Sequence, residues 1–93
     1  MSAPRPYQVH IKRPAEREMD ALPREVFDRV ADAILLLEAA PRRPGSRKLT
    51  GTQSYRYRVG KYRIVYTIDD ASHSIEIVAV GPRRDVYRRL ARD

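Results

Sequence analysis

KLTGTQSYRYRVGKYRIVYTIDDASHSIEIVAVGPRRDVYRR, residues Lys48 to Arg89, decides how this chain folds. Tyr55 to Val59 and Tyr62 to Ile68 are rich in aromatic and β-branched residues, as half-buried strands are. Between them, Gly60-Lys61 suits a type II′ turn, because glycine takes positive φ at the first central position. A loop of two residues leaves one register: Val59 faces Tyr62, Arg58 faces Arg63, Tyr57 faces Ile64 and Arg56 faces Val65. Alternation then sorts the side chains. Tyr55, Tyr57, Val59, Tyr62, Ile64, Tyr66 and Ile68 share one face. Arg56, Arg58 and Arg63 share the other. Like charges opposed across a ladder cost about 0.2–1 kcal/mol, so three arginines on one small face point to an anion.

The rest of the chain is built around that hairpin. Tyr7 to Lys12 alternates and reads as a first strand. Pro14 opens a short helix carrying Ala15, Met19 and Leu22, and Pro23 opens a second. In the second helix Val26, Val30, Ile34 and Leu37 form a stripe, widened by Phe27, Ala31 and Ala33. Pro41 and Pro44-Gly45 end it, and Arg42 to Lys48 reads as a basic connector. A last strand runs from Ser74 to about Val80, where Gly81-Pro82 breaks it. Asp85 is the expected N-cap of a terminal helix over Val86 to Ala91. The predicted order is β-α-α-β-β-β-α, an α+β fold whose antiparallel sheet carries both N-terminal helices on its apolar face. Residues 1–93 read as one domain, with 1–6 as a loose, proline-bearing tail.

The charge is lopsided. The 93 residues carry a net charge of +7, with −1 in residues 1–41 and +8 in residues 42–93. Such polarity favours a polyanionic partner, nucleic acid before membrane, since no basic amphipathic helix with a Trp/Phe face is present. There is no cysteine, which excludes disulfides and thiolate metal sites and suits a reducing cytoplasm. No apolar run approaches the ~18 residues of a membrane span, and no secretory signal is visible. No Ser/His/Asp set, metal cluster or phosphate loop appears, and Glu76 is a lone carboxylate.

KLTG, SYRYRVGKYRIVYTIDD and VGPRRDVYRR resemble the RelE/ParE toxin superfamily, nearer its RelE branch. The resemblance spans about Tyr7 to Arg92. It implies the toxin of a bacterial type II toxin–antitoxin pair: a metal-independent, cofactor-free endoribonuclease that cuts mRNA in the ribosomal A site. It implies a RelB-like antitoxin too, and an acidic amphipathic segment would suit the basic half of this chain. By the same resemblance the catalytic positions fall at Arg56, Arg58, Arg63, Arg83 and Tyr87. Arg42, Arg43, Arg47, Lys48, Lys61, Arg84, Arg88 and Arg89 are then the candidates for binding messenger and ribosomal RNA.

Two residues depart from the pattern. Relatives often place lysine, a usable base when crowded by cations, where this chain has Arg56 and Arg58, and arginine is a poor base. Pro82 stands where many relatives have histidine or lysine. Plainer readings stay open: Arg56 and Arg58 as solvated arginines, Tyr87 as packing for the last helix, and Arg84, Arg88 and Arg89 as surface charge. Two other functions do as well, a ParE-like inhibitor of DNA gyrase and a relative that only binds RNA and antitoxin.

Overall fold

The computed structural model describes residues 5–92, so four of the six residues read as a tail lie outside it. Five strands and three helices follow in the order β1 (Gln8–Ile11), α1 (Arg13–Asp20), α2 (Arg24–Ala39), β2 (Ser46–Lys48), β3 (Ser54–Val59), β4 (Tyr62–Asp69), β5 (Ser74–Pro82) and α3 (Arg83–Arg92). They form one α+β unit around a sheet of order β1-β5-β4-β3-β2. The hairpin register is the one the turn demands: Val59 opposite Tyr62, Arg58 opposite Arg63, Tyr57 opposite Ile64 and Arg56 opposite Val65. Gly60 takes φ +60°, and a Cβ there would stand 2.9 Å from the Arg29 guanidinium. The positive φ is what keeps that turn residue a glycine, since the exposed Arg29 side chain can move aside.

Ala15 and Met19 of α1 and Val30, Ala33, Ile34 and Leu37 of α2 bury themselves against Val59, Ile64, Tyr66, Ile75, Ile77 and Val80. This is the apolar face read from the alternation, and both N-terminal helices cover it. Tyr66 is fully buried there, its hydroxyl donating to the Pro41 carbonyl at 2.6 Å. Burial pushes the phenol up to about 12.

In four places the structure corrects the sequence. A fifth strand, β2, lies in the segment read as a connector: Ser46, Arg47 and Lys48 pair with Tyr57, Arg56 and Tyr55. Its composition hides it, since none of the three residues favours strands. Next, β1 runs parallel to β5, Val9 beside Ile75 and Ile11 beside Ile77, so the sheet is mixed rather than wholly antiparallel. Third, β5 does not break at Gly81-Pro82 but carries both residues, opposite Arg63 and Tyr62. Proline is tolerated because β1 reaches only as far as Ile77, leaving that half of β5 an edge. Fourth, α3 begins at Arg83, which puts Asp85 inside the first turn and not at the N-cap.

One irregularity redistributes side chains. The β4–β5 register shifts between Val65, opposite Ala79, and Tyr66, opposite Ile77. Val78 is the extra residue. Ile75, Ile77 and Val80 therefore face α1 and α2, while Val78 and Ala79 join Val65 on the opposite face. There they meet Val86, Tyr87 and Leu90 of α3. The arginine face is thus half covered by α3.

The β4–β5 turn is tied down by Asp70, which accepts from the Arg42 Nη1 and Nη2 at 3.1 and 2.9 Å and from the Tyr7 hydroxyl at 2.9 Å. Arg42 first and Tyr7 second hold the Asp70 carboxyl below the usual carboxylate range. The folded value is the lower one, so this contribution is complete above the unfolded value of about 3.9 and is lost as pH falls through the folded one. Asp70→Asn should accordingly flatten the fall in stability below about pH 4, followed by chemical denaturation across pH. Tyr66→Phe should cost about 1–3 kcal/mol by stranding the buried Pro41 carbonyl, read as a melting temperature lowered by several degrees.

Candidate functional site

Strand alternation places Arg56 and Arg58 of β3 on the face turned away from α1 and α2, and the tight turn brings Arg63 of β4 directly beside them. β2 adds a fourth cation. Arg47 lies directly opposite Arg56, so arginines run across three neighbouring strands. The connector folds back at Gly45, whose φ is +100° and where a Cβ would come within 3.2 Å of the Tyr57 ring. Ser46 secures the bend, donating from Oγ to the Arg43 carbonyl at 2.7 Å.

The four cations are not equivalent. Arg47 and Arg58 are exposed and Arg56 is half-buried, whereas Arg63 is only 8% exposed. Burial above all, then the charges of Arg63 and Arg58, holds the Arg56 guanidinium below its ordinary value, with Tyr87 acting in the opposite direction. The phenol of Tyr87 therefore belongs to the same electrostatic cluster. Its ring lies over Arg63, 6.0 Å from guanidinium carbon to centroid, as a cation–π pair does. Among the described residues, no carboxylate forms an ion pair with Arg47, Arg56, Arg58, Arg63 or Arg83. Charges gathered, partly buried and left without counter-charge are costly, and an incoming polyanion removes the cost.

Arg83 and Arg84 open α3 and are exposed. The strand feeding that helix places Gly81 opposite Arg63, so Arg83 leaves the sheet two residues beyond the cluster. The structure thus brings together Arg56, Arg58, Arg63 and Tyr87, with Arg47 added and Arg83 at the rim. At the other end of the same face His10, Thr67, Asp69, Ser74 and Glu76 line a shallow polar depression, with Lys12 paired to Glu76 at 3.7 Å.

The remaining cations read as RNA-binding scatter. Arg42 is bound by Asp70 and Tyr55, its Nε donating to the Tyr55 hydroxyl at 3.2 Å, on the side of the apolar face. Arg43 is half-buried, its Nε without a hydrogen-bond partner among the described residues. Lys48 stands opposite Tyr55 and so on the face away from the arginines, a consequence of the unforeseen β2. Lys61 is exposed at the hairpin tip, and Arg88 is exposed on α3. Arg89 is engaged by Glu18 at 2.7 Å. Neither Glu18 nor the place of Arg47 beside Arg56 was legible in the sequence; Gly45, a turn residue just before SRK, was the one available sign of a strand.

Comparison with known proteins agrees with the fold and the family resemblance. Residues 9–87 match the family model described as the ParE toxin of the type II toxin–antitoxin system parDE. The chain is 38% identical over 88 residues to Toxin RelG of Mycobacterium tuberculosis, covering 90% of this chain and 99% of that one. To Toxin RelE of the same organism it is 35% identical over 92 residues, covering 95% and 93%. Among solved structures it resembles the toxin–antitoxin complex RelBE2 of M. tuberculosis, with a TM-score of 0.76 and 30% identity over 84% of this chain and 99% of the matched chain.

Arg58 offers a test of the cluster, being exposed and opposite Arg63. In low salt, Arg58→Thr should leave thermal stability unchanged or raise it by up to about 1 kcal/mol. The same variant should bind an RNA oligonucleotide more weakly, with a salt dependence shallower by about one phosphate contact in a titration series.

Proposed function

Since the chain belongs to the RelE/ParE superfamily of type II toxin–antitoxin toxins, we propose that it is an endoribonuclease that cuts mRNA on the ribosome. One observation carries the reading: four arginines on one sheet face that have no carboxylate partner among the described residues, one of them buried beneath the Tyr87 ring. The other face of the sheet is consumed by the core, so the arginine face is the one free to take a ligand.

The chemistry is attack of a ribose 2′-OH on the adjacent phosphate, breaking the bond to the 5′ oxygen of the next nucleotide and leaving a 2′,3′-cyclic phosphate. Charge builds on the phosphoryl oxygens in the transition state. Guanidinium groups meet those oxygens two at a time and stay protonated, which assigns Arg63 and Arg83 to that charge. Arg56 and Arg58 hold the flanking phosphates, and Arg47 extends the track across β2. One proton must leave the 2′-OH and one must reach the departing 5′ oxygen. The arginines do not exchange protons usefully. Beside the arginines, Tyr87 carries an exchangeable proton, and its ring is also suited to stack on a base. With Lys48 turned away and Lys61 at the hairpin tip, the second proton-transfer group is assigned to the ribosome.

A RelB-like antitoxin is the partner this reading supplies, since the matched M. tuberculosis chain comes from a toxin–antitoxin complex. Ribosomal substrate implies the cytoplasm, and no helix among the described residues is long and apolar enough to cross a membrane. The match to the ParE family model favours one further reading, inhibition of DNA gyrase with the same fold.

Induced expression with transcript ends mapped by primer extension separates the two. The wild type should generate new ends within translated codons, and Arg83→Ala should lower the cleavage rate about 10²–10³-fold, the scale of losing one transition-state donor. Growth arrest without new ends, accompanied by loss of supercoiling activity, would transfer the function to gyrase.

A further inference from the structure

Glu18 lies on α1, which covers the apolar face, yet it holds the helix on the opposite face. Its Oε2 accepts from Arg89 Nε at 2.7 Å, and its Oε1 accepts from Arg89 Nη2 at 3.0 Å and from the Val80 backbone N–H at 3.0 Å. Arg89 Nη2 also donates to the Val78 carbonyl. The pair is largely sheltered, with side chains 24% and 25% exposed.

The edge of the sheet explains the arrangement. β1 pairs with β5 from Ser74 to Ile77, so among the described residues the β5 backbone has no strand on that side beyond Ile77. The bulge at Val78 lies in that stretch, and Pro82 brings no N–H to it. Glu18 takes the Val80 donor and Arg89 takes the Val78 acceptor. A carboxylate–guanidinium fork therefore closes the open half-edge and crosses from one face of the sheet to the other.

What it holds needs holding. α3 has 10 residues, five of them arginine, too short and too like-charged to be stable by itself. Among the described residues, the apolar side chains it packs against the sheet are Val86, Tyr87 and Leu90. Three apolar residues keep a helix on a surface but leave it free to slide and roll. A bidentate fork two residues beyond Tyr87 removes that freedom.

We propose that Glu18 is a positioning residue: through Arg89 it fixes the height and rotation of α3 so that Tyr87 lies over Arg63 and Arg83 meets the arginine face. The proposal rests on the nuclease reading above for its catalytic consequence, while its structural half is measurable without RNA.

The test compares wild type, Glu18→Gln, Arg89→Lys, the double variant and, as a control on the same helix, the exposed Glu16→Gln. Single-turnover cleavage at saturating ribosomes, ribosome affinity and amide hydrogen exchange are measured for each. Glu18→Gln and Arg89→Lys should each cut about 10- to 100-fold more slowly, the scale of a misplacement of about 1 Å. Ribosome affinity of Glu18→Gln should change less than about twofold, because Glu18 belongs to α1 and not to the arginine face. The double variant should be no slower than either single one, as expected of two ends of one contact. Amides of α3 should exchange faster while those of β3 and β4 keep their protection. Glu16→Gln should match wild type. Unchanged protection of α3 in both single variants would overturn the proposal, and so would loosened α3 amides with undiminished cleavage. Should wild type itself leave mRNA intact, the nuclease reading falls and α3 protection alone decides whether the fork orients the helix. Arg89→Lys covers the case in which Glu18→Gln does not fold.

Discussion

The turn at Gly60-Lys61 allows its hairpin no slack. With two residues between the strands, Arg58 must stand opposite Arg63, and a slip by one residue would drive the arginines into the core and the tyrosines into water. Burial of Ile64, Tyr66 and Val59 beneath α1 and α2 makes that slip prohibitive. The apolar face therefore enforces the register, and the register gathers the charges. Folding uses one side of these strands, and the proposed RNA site uses the other.

That division gathers like charges on one face. Elsewhere the chain pairs its cations readily, Arg42 with Asp70, Lys12 with Glu76 and Arg89 with Glu18. Among the described residues, the cluster on β2, β3 and β4 receives no such acid. A protein of this size has about 5–15 kcal/mol of net stability, so opposed arginines tax an already modest total. Under the proposed function, a phosphate backbone would relieve repulsion and burial cost already present in the free protein.

α3 completes the surface from outside the sheet. Its few apolar residues rest on Val65, Val78 and Ala79, and its arginines point the same way in charge as the face it joins. Attraction between the two is weak at best. Glu18 resolves this by reaching round the free edge of β5, so an acidic residue from the less basic half of the chain holds the most basic element in place.

The hairpin, its register, the helix-covered apolar face and the grouping of Arg56, Arg58 and Arg63 all follow from the sequence. Each depends on neighbours within a few residues: a glycine with positive φ, alternation along a strand, apolar spacing along a helix. The family was legible for the same reason, since its motifs lie inside that local stretch. The tertiary structure alone decided the rest. Ser46-Arg47-Lys48 has no strand preference and becomes β2 only because β3 offers an open edge. β1 lies parallel to β5, a pairing between the two ends of the chain that no local pattern encodes. The bulge at Val78 arises where β5 must serve helices on both faces, and the Glu18–Arg89 fork joins residues 71 apart. Local steric preference can be read along a chain; contacts made between distant segments appear only once packing has brought them together.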